Sequence, residues 1–288
     1  MIWICSSKID CKILRPTNAN LRKRQSHMKQ RTKIASFSMA IIMGAIIADP
    51  AIADVLVQAP QSTLVTPVAT LAFPGTFGIP SAVAPRNGAF FVGASYASPR
   101  GGVSGAGGDG DIVAGYAIGN PLDAVSLTFG LAITGIDPLG DSGSFSLAAS
   151  RLLRAGGRSA TFVGLSASNL GAWGSSALRP EMFSAYVSHL VGVDALTVEI
   201  PLLITVGVGT DNTREADGSG IVRDGAFAGI GVGLTGNLSA GISTTLTQQN
   251  VGATLTIPGT GMSATVGVLD ITNNTERRQF SLSVAYSF

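Results

Sequence analysis

From Gly88 to its last residue the sequence alternates. The segment "DAVSLTFGLAIT" sets Val125, Leu127, Phe129, Leu131 and Ile133 on one parity, and Ala124, Ser126, Thr128, Gly130 and Ala132 on the other. Successive side chains of a strand point to opposite faces, so this period calls for strands that are apolar on one face only. The pattern recurs. Leu196, Val198, Ile200, Leu202, Ile204, Val206 and Val208 oppose Thr197, Glu199, Pro201, Thr205 and Gly207, with Leu203 the one mismatch. Ala228, Ile230, Val232 and Leu234 oppose Phe227, Gly229, Gly231 and Gly233. About twelve such segments follow one another, near 88–98, 109–119, 123–134, 143–153, 158–168, 180–191, 195–209, 224–235, 237–248, 250–257, 262–270 and 278–288. Most approach the roughly 9–11 residues with which a tilted strand crosses a bilayer.

The connections alternate too. Tight ones are expected after even segments, at Asn120-Pro121, Ala155-Gly156-Gly157, Gly192-Val193-Asp194, Gly236-Asn237 and Pro258-Gly259-Thr260. Longer, charged ones are expected after odd segments, as from Thr210 to Asp224, with the connection near Gln248-Gln249 breaking the rule. Short turns on one side and long loops on the other are the connectivity of an up-and-down membrane barrel. Alternation alone fits a soluble β-sandwich equally well, so the compartment bears on the choice.

The first 53 residues speak to that. They hold nine of the 19 basic residues, both cysteines (Cys5, Cys11) and only Asp10 and Asp49 of the 17 acidic ones. Lys29, Arg31 and Lys33 precede the apolar run Ile34 to Ala48, Pro50 interrupts it, and Ala51-Ile52-Ala53 offers small residues for cleavage. This is the layout of a signal peptide, with cleavage expected near Ala53, an N-terminal extension, and Met28 as the better start. The run is too short for a confident membrane helix. Beyond position 53 remain ten Arg, no Lys, no Cys and fifteen carboxylates, a net charge of about −5. No basic stripe is left for nucleic acid and no cysteine for a disulfide or metal. No later segment has 18 uninterrupted apolar residues, since His189, Asp194 and Glu199 break the most hydrophobic region. Residues 54–87 carry Pro60, Pro67, Pro74, Pro80 and Pro85, which exclude a long helix. They read as an extended arm, either periplasmic or folded inside the barrel as a plug.

The last nine residues are the cleanest strand: Phe280, Leu282, Val284, Tyr286 and Phe288 against Ser281, Ser283, Ala285 and Ser287. In this the chain resembles bacterial outer-membrane β-barrel proteins, porin-like in type, whose last strand ends in an aromatic with apolar residues at every second position before it. The resemblance implies recognition of this strand by the barrel-assembly machinery, pairing of the last strand with the first, and both barrel ends on the periplasmic side. It also implies aromatic girdles at the two interfaces. For these the chain offers Trp173, Tyr96, Tyr116, Tyr186 and Tyr286, with Phe183, Phe280 and Phe288 as further contributors.

Motifs for chemistry are sparse. Gly231 to Gly236 matches G-x-G-x-x-G, but the glycines lie inside a strand and a strand follows, so they read as lumen-facing glycines and a turn rather than a dinucleotide site. His189 is the only histidine past position 53. A hydrolase built from it and Ser188 is disfavoured, since neighbouring strand residues point apart, and an interfacial role fits better. Asp109 and Asp111, in a Gly/Asp-rich stretch, are the weak metal candidates, in a single imperfect copy of a motif that works as repeats. The inward face is mostly Gly, Ala, Ser and Thr, with Glu199 and Asp111 its few charges, so Glu199, Asp111 and Tyr186 are the pore-lining candidates.

The expected molecule is all-β: a transmembrane antiparallel barrel of about 12 strands over 88–288, preceded by the signal region 1–53 and the arm 54–87. Its expected function is a narrow, weakly selective passive pore for small neutral or weakly cationic solutes, without enzymatic activity or cofactor. The alternatives are a non-transporting anchor or adhesin barrel, and an autotransporter-like translocator. Expected partners are outer-membrane lipid, the assembly machinery and small solutes, with oligomerisation open.

Overall fold

The computed structural model describes residues 71–99, 108–134, 139–195, 198–216 and 221–288. The signal region lies outside these residues. Twelve strands form: β1 (Phe90–Ala97), β2 (Asp109–Ile118), β3 (Ser126–Thr134), β4 (Gly143–Gly156), β5 (Ser159–Trp173), β6 (Met182–Ala195), β7 (Val198–Arg214), β8 (Val222–Gly233), β9 (Leu238–Thr245), β10 (Gln249–Ile257), β11 (Met262–Leu269) and β12 (Gln279–Ser287). Each pairs antiparallel with its sequence neighbours, and β12 pairs with β1 in the register Phe91↔Ser287 to Ala97↔Ser281, closing a barrel. Closure matters physically, because it leaves no row of unpaired N–H and C=O groups.

Parity decides the two faces. On β7, Val206 and Val208 are 52% and 57% exposed while Leu203 and Thr205 are 0% exposed. On β12, Phe280, Leu282, Val284 and Tyr286 all stand exposed and Ser281, Ser283 and Ala285 turn inward. Ile204, Ile230, Ile242 and Val266 continue this apolar exterior around the wall. A soluble protein rarely exposes a continuous apolar surface of that extent, and a barrel with an apolar outside and small or polar residues inside is built to span a bilayer. Among the described residues no helix is long and apolar enough to do so.

Aromatic side chains mark both ends of the exterior on one side. Phe288 packs against Phe90 (ring centroids 5.5 Å apart) and edge-on against Tyr286 (4.4 Å), and Tyr116 and Phe129 follow Phe90 in cross-strand register. At the long-loop end Phe145 packs on Trp173 at 5.9 Å, and Tyr96 and Phe280 lie on the paired strands β1 and β12. The girdle therefore sits over β12 and β1–β5.

Two connections differ from expectation. Gly192-Val193-Asp194 does not turn: it lies in β6, paired with Pro201, Ile200 and Glu199, and the connection to β7 follows Ala195. Gly192 suits a strand here because the Glu199 side chain packs over it where a Cβ would stand. The loop expected from Thr210 to Asp224 is shorter, since β7 runs on to Arg214 and β8 starts at Val222. Asp211, Asn212 and Thr213 resemble loop residues in composition. They are ordered by a register shift between Gly209 and Thr213, by Asn212 Nδ2 donating to the Gly225 carbonyl (3.0 Å) and by the Arg223–Glu215 ion pair. The β4–β5 turn is tight at 157–158, with Gly157 at φ +56°, a left-handed conformation in which a side chain is strained.

Candidate functional site

Residues 71–87 run within the barrel. They touch inward-facing residues of strands on opposite sides of the wall, which is only achievable from inside. The Ala72 N–H donates to the Thr235 carbonyl at 2.6 Å, beside the short turn between β8 and β9. From there the segment packs along β8–β11. A Cβ at Gly231 would stand 2.5 Å from the Gly75 carbonyl oxygen, and one at Gly241 would overlap the same atom. A Cβ at Gly252 would stand 2.5 Å from the Phe77 ring, one at Gly267 would overlap that ring, and one at Gly229 would come 2.7 Å from Ile79. Gly231 and Gly233 of "GVGLTG" are thus lumen-facing, part of a side-chain-free wall into which the arm fits, while Gly236 lies in the short turn that follows.

The segment then crosses toward β4 and β6. There the Ala82 N–H donates to Ser188 Oγ (2.9 Å), whose hydroxyl meets Thr205 Oγ1 (2.7 Å), and Ser150 Oγ donates to the Ala82 carbonyl. Both backbone groups of Ala82 are therefore held by the wall, and Ala82, Ser188 and Thr205 are fully buried. Ser243 Oγ likewise donates to the Phe77 carbonyl, with Asn250 Nδ2 donating to Ser243 Oγ at 3.2 Å. Proline suits such a segment: it has no N–H to leave unsatisfied, and Pro74 is among the most deeply buried residues. The arm leaves at the short-turn end, where Asn87 Oδ1 accepts from Gly119 N–H (2.9 Å), and continues into β1.

The arm does not fill the lumen. Between its residues 80–85 and the wall of β1–β6 lies a cleft of ≈ 320 Å³, at the lower end of the about 300–1,000 Å³ of small-molecule sites. The arm side is apolar, from Pro80, Val83 and Pro85. The wall side carries Phe91 and Val113 together with Thr128, Ser146, Ser166 and Ser168. No charged side chain lines it. Tyr186 bounds it: 5% exposed, it lies over Gly164, packs against Phe227 with centroids 6.3 Å apart, and pairs through its hydroxyl with Ser166.

The other sequence candidates fall at the ends. Glu199 starts β7 at the short-turn end, with Oε2 3.7 Å from Arg158 Nε, while Arg158 also pairs with Asp194. The Asp194 hydrogen bond and charge, aided by Glu199, raise the Arg158 pKa above its ordinary value. Asp111 lies near the other end, in β2 opposite Ser95 and Thr134, and Asp109 opens the same strand. Among the described residues no group of three or more His, Cys, Asp or Glu is placed to hold a metal. His189 Nδ1 is 2.9 Å from Thr161 Oγ1 on the outward row, while Ser188 is engaged inside, so the two do not form a nucleophile–base pair. Sequence reasoning missed Ser150 and Ser188 as the arm's anchors. The run of inward glycines on β8–β11 was the available signal, since a wall without side chains leaves space that something must fill.

No family model matches the sequence, and no curated protein matches it. Several solved structures are similar. One is the KdgM porin in complex with disordered oligogalacturonate (TM-score 0.45, 11% identity, over 69% of this chain and 99% of that one). Another is the Acinetobacter baumannii outer membrane protein Omp33 (0.45, 8%, 70% and 98%). A third is the COG4313 outer membrane channel from Pseudomonas putida F1 (0.45, 11%, 71% and 97%). The barrel stands on its own strand pairing, independently of these likenesses.

Proposed function

We propose that this chain is a bacterial outer-membrane barrel that forms a narrow, weakly selective passive pore for small solutes, with residues 71–87 acting as a partial plug. The observation that carries the reading is the uncharged cleft left beside the arm in a closed barrel whose exterior suits lipid. Twelve strands enclose a space between that of the side-chain-filled eight-stranded barrel and the open 16-stranded channel, and the arm narrows it further. The lining has no ring of charge of the kind that sets ion selectivity. On this reading the short-turn end faces the periplasm, Phe280 to Phe288 serve as the assembly signal, and export precedes removal of residues 1–53.

The packing of residues 72–79 against β8–β11 favours one other reading, a barrel sealed by its arm that anchors the envelope or presents loops. Planar-bilayer recording separates the two. Discrete, small openings support the pore. A purified, correctly folded barrel that stays electrically silent overturns it in favour of the anchor.

A further inference from the structure

Resting on the pore reading, we infer that the cleft is a binding site whose occupant is an uncharged, pyranose-sized polyol, and that the arm supplies its specificity. The cleft is two-sided. Pro80, Val83 and Pro85 of the arm offer an apolar surface that can accept the C–H face of a sugar ring. On the barrel wall Thr128, Ser146 and Ser168 line the cleft with hydroxyl-bearing side chains, and no protein group among the described residues takes these hydroxyls up. A hydroxyl both donates and accepts, so this wall meets a ring of hydroxyls without requiring charge on either side.

The volume fits a compact ring rather than a chain of them. A carboxylate or ammonium placed here would lose water without gaining a counter-charge, because no ionisable lining residue other than Tyr186 is present. Specificity therefore arises from half-apolar, half-hydroxyl complementarity, and the half that is not barrel wall is the arm. Ser150 and Ser188 set the width of the site by holding Ala82.

The test uses the purified full chain in proteoliposomes with glucose, glucuronate and glucosamine, which share a ring and differ in charge. The expected result is saturable glucose entry, with both charged analogues entering at least tenfold more slowly. In Thr128→Val/Ser146→Ala/Ser168→Ala, glucose entry should lose saturation and the advantage of glucose over the two charged analogues should fall. Folding is verified by heat-modifiable gel migration. If the triple variant does not fold, Thr128→Val alone, a near-isosteric change, should raise the half-saturation concentration several-fold. Linear, unsaturable entry in which the three sugars pass alike overturns this inference and leaves the pore intact. Absence of both sugar entry and ion conductance overturns the pore itself.

Discussion

Removing the two hydroxyls that hold Ala82 should open the barrel. In Ser150→Ala/Ser188→Ala each substitution deletes one oxygen and adds no bulk, so the strand ladder is untouched. The Ala82 N–H loses its acceptor at 2.9 Å, and its carbonyl loses its only described donor. A buried backbone group left unpaired costs about 1–3 kcal/mol, so the pair weakens the arm's seat by about 2–6 kcal/mol. The two losses share one residue and are not independent. Taking a value near 3 kcal/mol, the displaced arm becomes about a hundredfold more populated, at 1.4 kcal/mol per tenfold. Ala82→Cys provides the reporter, because no cysteine lies beyond position 11 in the chain and Ala82 is fully buried. Labelling by a charged maleimide should be slow in the parent and at least tenfold faster in the serine variant, with larger single-channel steps. The unfolding temperature of the barrel should scarcely move. Unchanged labelling and unchanged conductance in a folded variant would refute the claim that these hydroxyls seat the arm.

Three further outcomes are expected. Gly231→Val drives a side chain into the Gly75 carbonyl, and overpacking costs about 1–3 kcal/mol; it should enlarge the conductance by expelling residues 72–79, as recorded in bilayers. Deleting Phe288 removes its N–H bond to the Phe90 carbonyl (2.9 Å) and two ring contacts, each aromatic pair contributing about 0.5–1.5 kcal/mol beyond area; fractionation should show impaired assembly with export intact. Glu199→Gln should alter the cation-to-anion permeability ratio by less than about twofold, since Arg158 already offsets this carboxylate at the rim and a partly solvated pair adds little net field; reversal potentials in a salt gradient measure it.

The barrel was legible because lipid-facing strands carry their environment in their parity. Phe280 to Tyr286 and Val125 to Ile133 specify orientation as well as strand type, and closure followed from the pairing of β12 with β1. Boundaries failed where composition and geometry part. Gly192-Val193-Asp194 has turn residues but sits under the Glu199 side chain, and Asp211 to Thr213 continue β7 as polar residues. The site was half legible. Tyr186 stood among the pore-lining candidates, and its side chain lies buried against the cleft. The arm's path was not, because Pro-rich extended chain has no period to read. Its anchors are ordinary serines, distinguishable from other lumen hydroxyls only by what they touch.

Whether the barrel crosses a membrane with its apolar face in lipid is answered by fractionating cells that express the full chain and running the fractions on gels with and without heating. Retention in the outer-membrane fraction and faster migration unheated than heated are expected, as a closed hydrogen-bonded barrel resists detergent. A protein recovered freely soluble, with the same mobility in both lanes, would contradict a membrane-spanning barrel.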